Sequence, residues 1–245
     1  MTSEWEGLVV LAVAAAPCVG SFLGLLAHRL PAGEGVVWGR SRCRSCDTRL
    51  ALRDLVPVAS WLHGRGRCRY CAAAIGRTYP AMELGALAVA VWSASALPAA
   101  ALLAGCVLGW ALLTLAVIDQ RHLILPDELT LPLIPLGLAA TWSAAPQALP
   151  AHALGAALGF VTFAGIRLAY RRLRRVEGLG LGDAKLLAAA GAWVSWTGLP
   201  SVVLIAAITA GAAALLLRLG RTDPLPFGGH LALALWLVWL YGPLV

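Results

Sequence analysis

Asp183 lies in GLGLGDAKLLAAAGAW (Gly178–Trp193), a carboxylate at the head of an apolar run. A charge in such a place is costly unless it is paired, hydrated or used. Asp119 closes LLTLAVID in the same manner, directly after an uncharged stretch. Outside the amino terminus and a cysteine-bearing insert, the remaining acids are Glu83, Asp127, Glu128, Glu177 and Asp223, each beside the end of an apolar run. Two carboxylates within hydrogen-bonding range cannot both ionise easily, so one keeps its proton while the other carries charge. That division suits peptide hydrolysis without a metal: the ionised member takes a proton from water, and the protonated member supports the oxyanion and then the leaving amine. Glycine at every second position (178, 180 and 182) weakens a helix and exposes main chain for a peptide to lie alongside. Lys185 is two residues from Asp183 and belongs to a different helix face, which makes it a poor counter-ion for that acid and predicts snorkelling to the interface. Two other readings fit the same acids: each borders or caps a helix, or they serve an ion- or proton-coupled transporter.

The second chemical constellation is CRSC followed by CRYC. Cys43, Cys46, Cys68 and Cys71 form two Cys-x2-Cys pairs separated by 21 residues. Each pair places two thiolates on one tight turn, and two such turns complete a tetrahedron around zinc. Two disulfides are the alternative; placement on the reducing side of a membrane and the neighbouring Arg42, Arg44, Arg67 and Arg69 favour thiolates. Four protein ligands leave no open position, so the metal is expected to hold the fold of a segment too small for its own core. Cys18 and Cys106 lie in apolar runs and read as small hydrophobes.

The elements that carry these groups follow from composition. Of 245 residues, 60% are hydrophobic and 13% charged, with mean hydropathy +0.80, which predicts an all-α polytopic membrane protein in contact with the lipid bilayer. Runs long enough to cross the hydrocarbon core occur at 7–27, 80–97, 99–118, 123–145, 150–168 and 227–245. A longer run at 186–217 is expected to break at Gly198-Leu199-Pro200, giving about eight spans in all. All 19 Lys and Arg residues fall in or beside alternate gaps: 29–77, Arg121, 167–185, and Arg218 with Arg221. Cations hold such gaps in the cytoplasm, so both termini are expected outside, with the insert and the acids inside. The net charge of +7 then faces lipid headgroups rather than nucleic acid. Glu4 and Glu6 argue against a secretory signal. The expected organisation is a first span over 1–30, an insert over 31–78 and a membrane domain over 79–245. Trp5, Trp38, Trp61, Trp193, Trp196 and Tyr241 read as interfacial. No histidine sits in a spacing that demands a role, although His122 is near enough to Asp119 to tune it.

Several blocks, in order, resemble the type IV prepilin leader peptidases, membrane aspartic proteases of the GxGD type. They are GSFLGLLAHRLP, the paired cysteines, GRCRYCAAAIGRTYPAMEL, IDQRHLILPDELTLPL, GLGLGDAKL and DPLPFGGHLALA, spread over nearly the whole chain. The resemblance implies Asp119 and Asp183 as the catalytic pair, with Asp127 of LPDE as the fallback for Asp119 or else a helix N-cap. It implies a bacterial inner-membrane enzyme whose substrates are prepilins or pseudopilins of a type IV pilus or type II secretion machine, cut after a glycine that ends a short basic leader. It also implies S-adenosylmethionine-dependent methylation of the new amino terminus. Glu83 is a candidate for that second site, or else the partner of an insert arginine. The chain departs from the family pattern at Gly24, where asparagine is usual, at Arg44, where proline often follows the first cysteine, and at Gly229, where proline is usual. GLGLG lacks the preceding strand that a nucleotide loop needs.

Overall fold

A computed structural model describes residues 2–36, 41–175, 179–220 and 223–244. Trp38, Glu177, Gly178 and Arg221 lie outside the described residues. The chain is all-helical: α1 (Thr2–Arg29), α2 (Ala59–His63), α3 (Thr78–Ala96), α4 (Ala99–His122), α5 (Asp127–Ala144), α6 (Leu149–Arg174), α7 (Leu181–Leu216) and α8 (Phe227–Tyr241). Among the described residues no β-strand forms, only two isolated antiparallel bridges. Among the described residues, four helices are long and apolar enough to cross a membrane, within 5–29, 99–122, 146–173 and 181–216, and α8 is a shorter apolar helix. These make the chain a membrane protein.

The chain divides into two compact units, residues 1–114 and 115–245. In the first, α1 packs on α3. Gly20 permits the approach, because a Cβ there would lie 2.6 Å from the Glu83 Cα. Ala16, Ala90, Leu102 and the fully buried Cys106 form a core that Trp5 and Trp110 cover. The insert repeats one turn 25 positions apart. The Cys43 amide bonds to the Thr48 carbonyl and the Cys68 amide to that of Ala73; the Asp47 amide returns to Cys43 and that of Ala72 to Cys68. Asp47 and Ala72 both take left-handed backbone (φ 52° and 58°), which turns each chain back after its second cysteine.

In the second unit α7 is central and contacts α5, α6 and α8. Gly155 and Gly159 of α6 form a small-x3-small face against α7, where Gly155 meets Gly191 backbone to backbone. No side chain fits at that crossing. His152 bonds the Ala192 carbonyl at 3.0 Å, and Trp193 donates to the Leu133 carbonyl at 2.8 Å. Trp193 is therefore a core residue, 2% exposed, and not the interfacial one that the sequence suggested.

The break in the long apolar run falls at Ser195 (φ 61°, ψ 177°), not at Gly198-Leu199-Pro200. The Ser195 hydroxyl accepts the Thr197 amide at 3.2 Å and starts a new helical arm, so Pro200 falls early in that arm, where less hydrogen bonding is lost.

Candidate active site and metal centre

Asp119 sits in the last turn of α4. Leu123 ends that helix with left-handed backbone (φ 55°) and donates its amide to the Asp119 carbonyl, turning the chain sharply into Leu125 and Pro126. Asp183 lies in the first turn of α7, where its Oδ2 accepts the Gly180 amide at 3.2 Å. Both carboxylates line one cavity of about 300 Å³, together with Leu123, Ile124, Leu125, Asp127 and Lys185. Asp119 is buried, at 5% exposure, while Asp183 is partly open.

Asp127 lines the same cavity but is otherwise engaged. Lys185 reaches both of its carboxylate oxygens at 2.7 Å. Lys185 is thus paired with an acid of another helix, and the residue at the N-cap position of α5 is Pro126, with Asp127 the first helical residue. The two positions, 58 apart in the chain, are joined by packing that spacing does not reveal.

Sequence reading missed the surroundings of Asp119. The Gly229 amide donates to its Oδ2 at 2.8 Å. Gly228 lies against the same oxygen, since a Cβ there would be 3.0 Å from it. A proline at 229 could not donate, so this departure from the family pattern supplies a bond. His230, the next residue, is the histidine in electrostatic reach of Asp119, whereas His122 is exposed. Leu125 packs into the spaces beside Gly182 and Gly228, where a Cβ would come within 2.9 Å and 2.8 Å of it. The bare side of Gly182, expected to receive a peptide, thus receives a leucine of this chain. The visible signals were the Gly-Gly pair and the glycine before Asp183.

In the first unit the sulfur atoms of Cys43, Cys46, Cys68 and Cys71 all lie within 4.8 Å of one another, with Cys43 and Cys71 at 3.8 Å. Four thiolates around a zinc ion stand roughly 3.8 Å apart, so the set fits a tetrahedral metal after small adjustment. Backbone amides of Cys46 and Ser45 draw the Cys43 thiol below its ordinary range, and those of Tyr70 and Cys71 do the same for Cys68. At Cys71 the Ala73 amide favours the thiolate, yet burial and three neighbouring sulfurs push the thiol up to about 12. Such crowding is what a divalent cation relieves.

Beside this cluster lies a cavity of about 1230 Å³ whose lining includes Arg29, Arg53, Trp61, Tyr79 and Glu83. Glu83 is 6% exposed and accepts the Val58 amide at 2.6 Å. A Cβ at Gly24 would stand 3.1 Å from the Tyr79 ring, which stacks on His28 and fills the space a longer side chain at 24 would use.

The chain is similar to known proteins over most of its length. Residues 14–97 match the Bacterial Peptidase A24 N-terminal domain, and 106–215 match the Type IV leader peptidase family. The chain is 38% identical to a prepilin leader peptidase/N-methyltransferase of Burkholderia pseudomallei (strain 1026b), over 87% of this chain and 79% of the relative. The chain belongs to this family. A protein of the same description from Aeromonas hydrophila is 37% identical over 91% of this chain and 87% of its own length. One from Stutzerimonas stutzeri is 33% identical over 99% and 93%. The resemblance read from the motif blocks is thereby borne out, and no solved structure matches the chain. The first family segment holds the four sulfurs and Glu83, and the second holds both carboxylates of the cavity.

Proposed function

We propose that the protein is a membrane aspartic endopeptidase that removes the basic leader of type IV prepilins or pseudopilins and then methylates the new amino terminus. The observation that carries this reading is the single cavity lined by Asp119 and Asp183. The ionised carboxylate takes a proton from water as the water oxygen bonds to the scissile carbonyl carbon, and the other carboxyl gives its proton to the carbonyl oxygen. The tetrahedral intermediate then collapses: the C–N bond breaks, the amine leaves with a proton from the pair, and the leader ends in a carboxyl group. Leu123, Ile124 and Leu181 line the cavity with 49%, 44% and 39% exposure, which suits the hydrophobic segment that follows the cut. The Lys185–Asp127 ion pair neutralises a third acid beside the pair and ties the start of α5 to that of α7.

The four cysteines would hold zinc as a structural ion. For the methyl step, the large cavity of the first unit has room for S-adenosylmethionine: Trp61 and Tyr79 offer ring faces, Arg29 and Arg53 suit its carboxylate, and Glu83 suits an ammonium group. When bound, that donor supplies a methyl group on a sulfonium centre.

The proposed organisation keeps the sequence divisions, a first span over 1–30, the cysteine insert over 31–78 and a membrane domain over 79–245. The kink at Ser195 supports counting α7 as two spans and so a total of eight, with the insert and the acids on the cytoplasmic face of the inner membrane, as the cation pattern requires.

The test is purified protein in detergent with a prepilin, read by mass spectrometry. Loss of the leader, followed by the gain of one methyl group when the donor is added, is the expected result. An intact substrate, with ion-coupled uptake in vesicles abolished by Asp119→Asn, would favour the transporter instead.

A further inference from the structure

We infer that the Gly229 amide decides which member of the acid pair carries the charge: it keeps Asp119 ionised, so that Asp119 takes the proton from water while Asp183 holds the shared one. The inference rests on the catalytic reading of Asp119 and Asp183. Asp119 is 5% exposed, and a carboxylate with so little solvent contact stays charged only when donors replace most of its hydration. The donor is at hand in the first turn of α8, where the Gly229 N–H reaches Oδ2 at 2.8 Å with the aligned peptide dipoles of a 15-residue helix behind it. Gly228 lets the carboxylate come this close, because a Cβ at that position would stand 3.0 Å from the same oxygen, and its own amide adds a smaller pull toward the charged form. Asp183 is served differently. It is more open to solvent, and its backbone donor among the described residues, Gly180, stands farther off at 3.2 Å. Among the described residues, the other titratable or charged groups around Asp119 are Asp183 of α7, His230 of α8, Arg121 and His122 of its own helix, and the Lys185–Asp127 pair, which carries no net charge.

Position 229 allows the bond to be removed by one substitution. A Cβ built there meets nothing nearer than the Ala116 carbonyl oxygen at 3.7 Å, so alanine has room; proline is tolerated in a first helical turn, and its Cδ takes the place of the amide hydrogen, so the Asp119 carboxylate must draw back from it. Gly229→Ala keeps the N–H; Gly229→Pro deletes it. The experiment is the pH dependence of prepilin cleavage, kcat and KM separately, for the wild type, both Gly229 variants and Asp119→Asn, with thermal melting in detergent to verify folding.

Gly229→Ala, which keeps the donor, should leave the acidic arm at the pH where the wild type has it. Gly229→Pro should move the acidic arm of the kcat profile up by about one pH unit, a loss of roughly tenfold on that arm that recovers as pH rises, with KM changed less than about twofold. Asp119→Asn should be inactive throughout. If Gly229→Pro and Gly229→Ala give one profile while Asp119→Asn is dead, the amide does not set the charge and the inference falls. If proline lowers kcat equally at every pH, its effect is on structure and the inference falls as well. If Asp119→Asn cleaves normally, the catalytic reading itself is wrong.

Discussion

The cysteine insert and the acid cavity organise their chemistry in opposite ways. Within the insert the functional atoms come from two copies of one local turn, so that spacing, amide bonds and the left-handed residue after each second cysteine are sufficient to cluster four sulfurs. In the cavity the atoms come from the last turn of α4 and the first turns of α5, α7 and α8, and they meet only because larger elements pack. A locally built site depends on its ion. A site built by packing depends on contacts that can lie far from its chemistry.

Several outcomes would sharpen or break that contrast. Stripping metal with a chelator, or Cys43→Ser, should remove near-stoichiometric zinc and abolish hydrogen-exchange protection across 41–75, a loss on the order of 10 kcal/mol of binding-linked folding energy. Protection across α7 should persist; equal loss in both would mean that the insert does not fold as a separate, metal-dependent element. Gly191→Leu attacks the other kind of site at a distance. The backbone contact with Gly155 leaves no room for a side chain, so the substitution should destabilise the second unit by about 3 kcal/mol or more and lower cleavage, read by melting and by exchange in α6 and α7.

Lys185→Gln should reduce kcat by about tenfold, because Asp127 then adds an unneutralised negative charge beside the acid pair and the tie between the starts of α5 and α7 is lost. Combining it with Asp127→Asn should cost little more than either change alone, and strict multiplication of the two losses would show that they act separately. The smallest effect belongs to Ala72→Gly, which relieves left-handed backbone at φ 58° and should stabilise the insert by about 1 kcal/mol in a metal-competition assay.

The same contrast explains how much was legible in the sequence. The Cys-x2-Cys pairs announced their cluster because two ligands per turn is a local property. The helices were legible from apolar length, and α1, α3, α4, α5, α6 and α8 fall where those runs lie. The kink was displaced because proline marks where a helix is weak, while the break formed where Ser195 could cap the next arm. Lys185 was judged by its neighbours in the chain, whereas its partner comes from another helix. The Gly229 amide was invisible for a related reason: a backbone donor leaves no side-chain signature, and only tertiary packing reveals what it faces. The Gly155-x3-Gly159 face, by contrast, was present in the sequence as a packing signal and passed unread.

The account turns on Asp119 and Asp183 acting together while Asp127 stands aside in an ion pair. The most direct test is single-turnover cleavage of a purified prepilin by folded Asp119→Asn, Asp183→Asn and Asp127→Asn proteins. The account predicts that the first two lose about a thousandfold or more and that Asp127→Asn keeps cleaving within about tenfold of the unaltered enzyme. Full activity in Asp119→Asn together with a dead Asp127→Asn would contradict it.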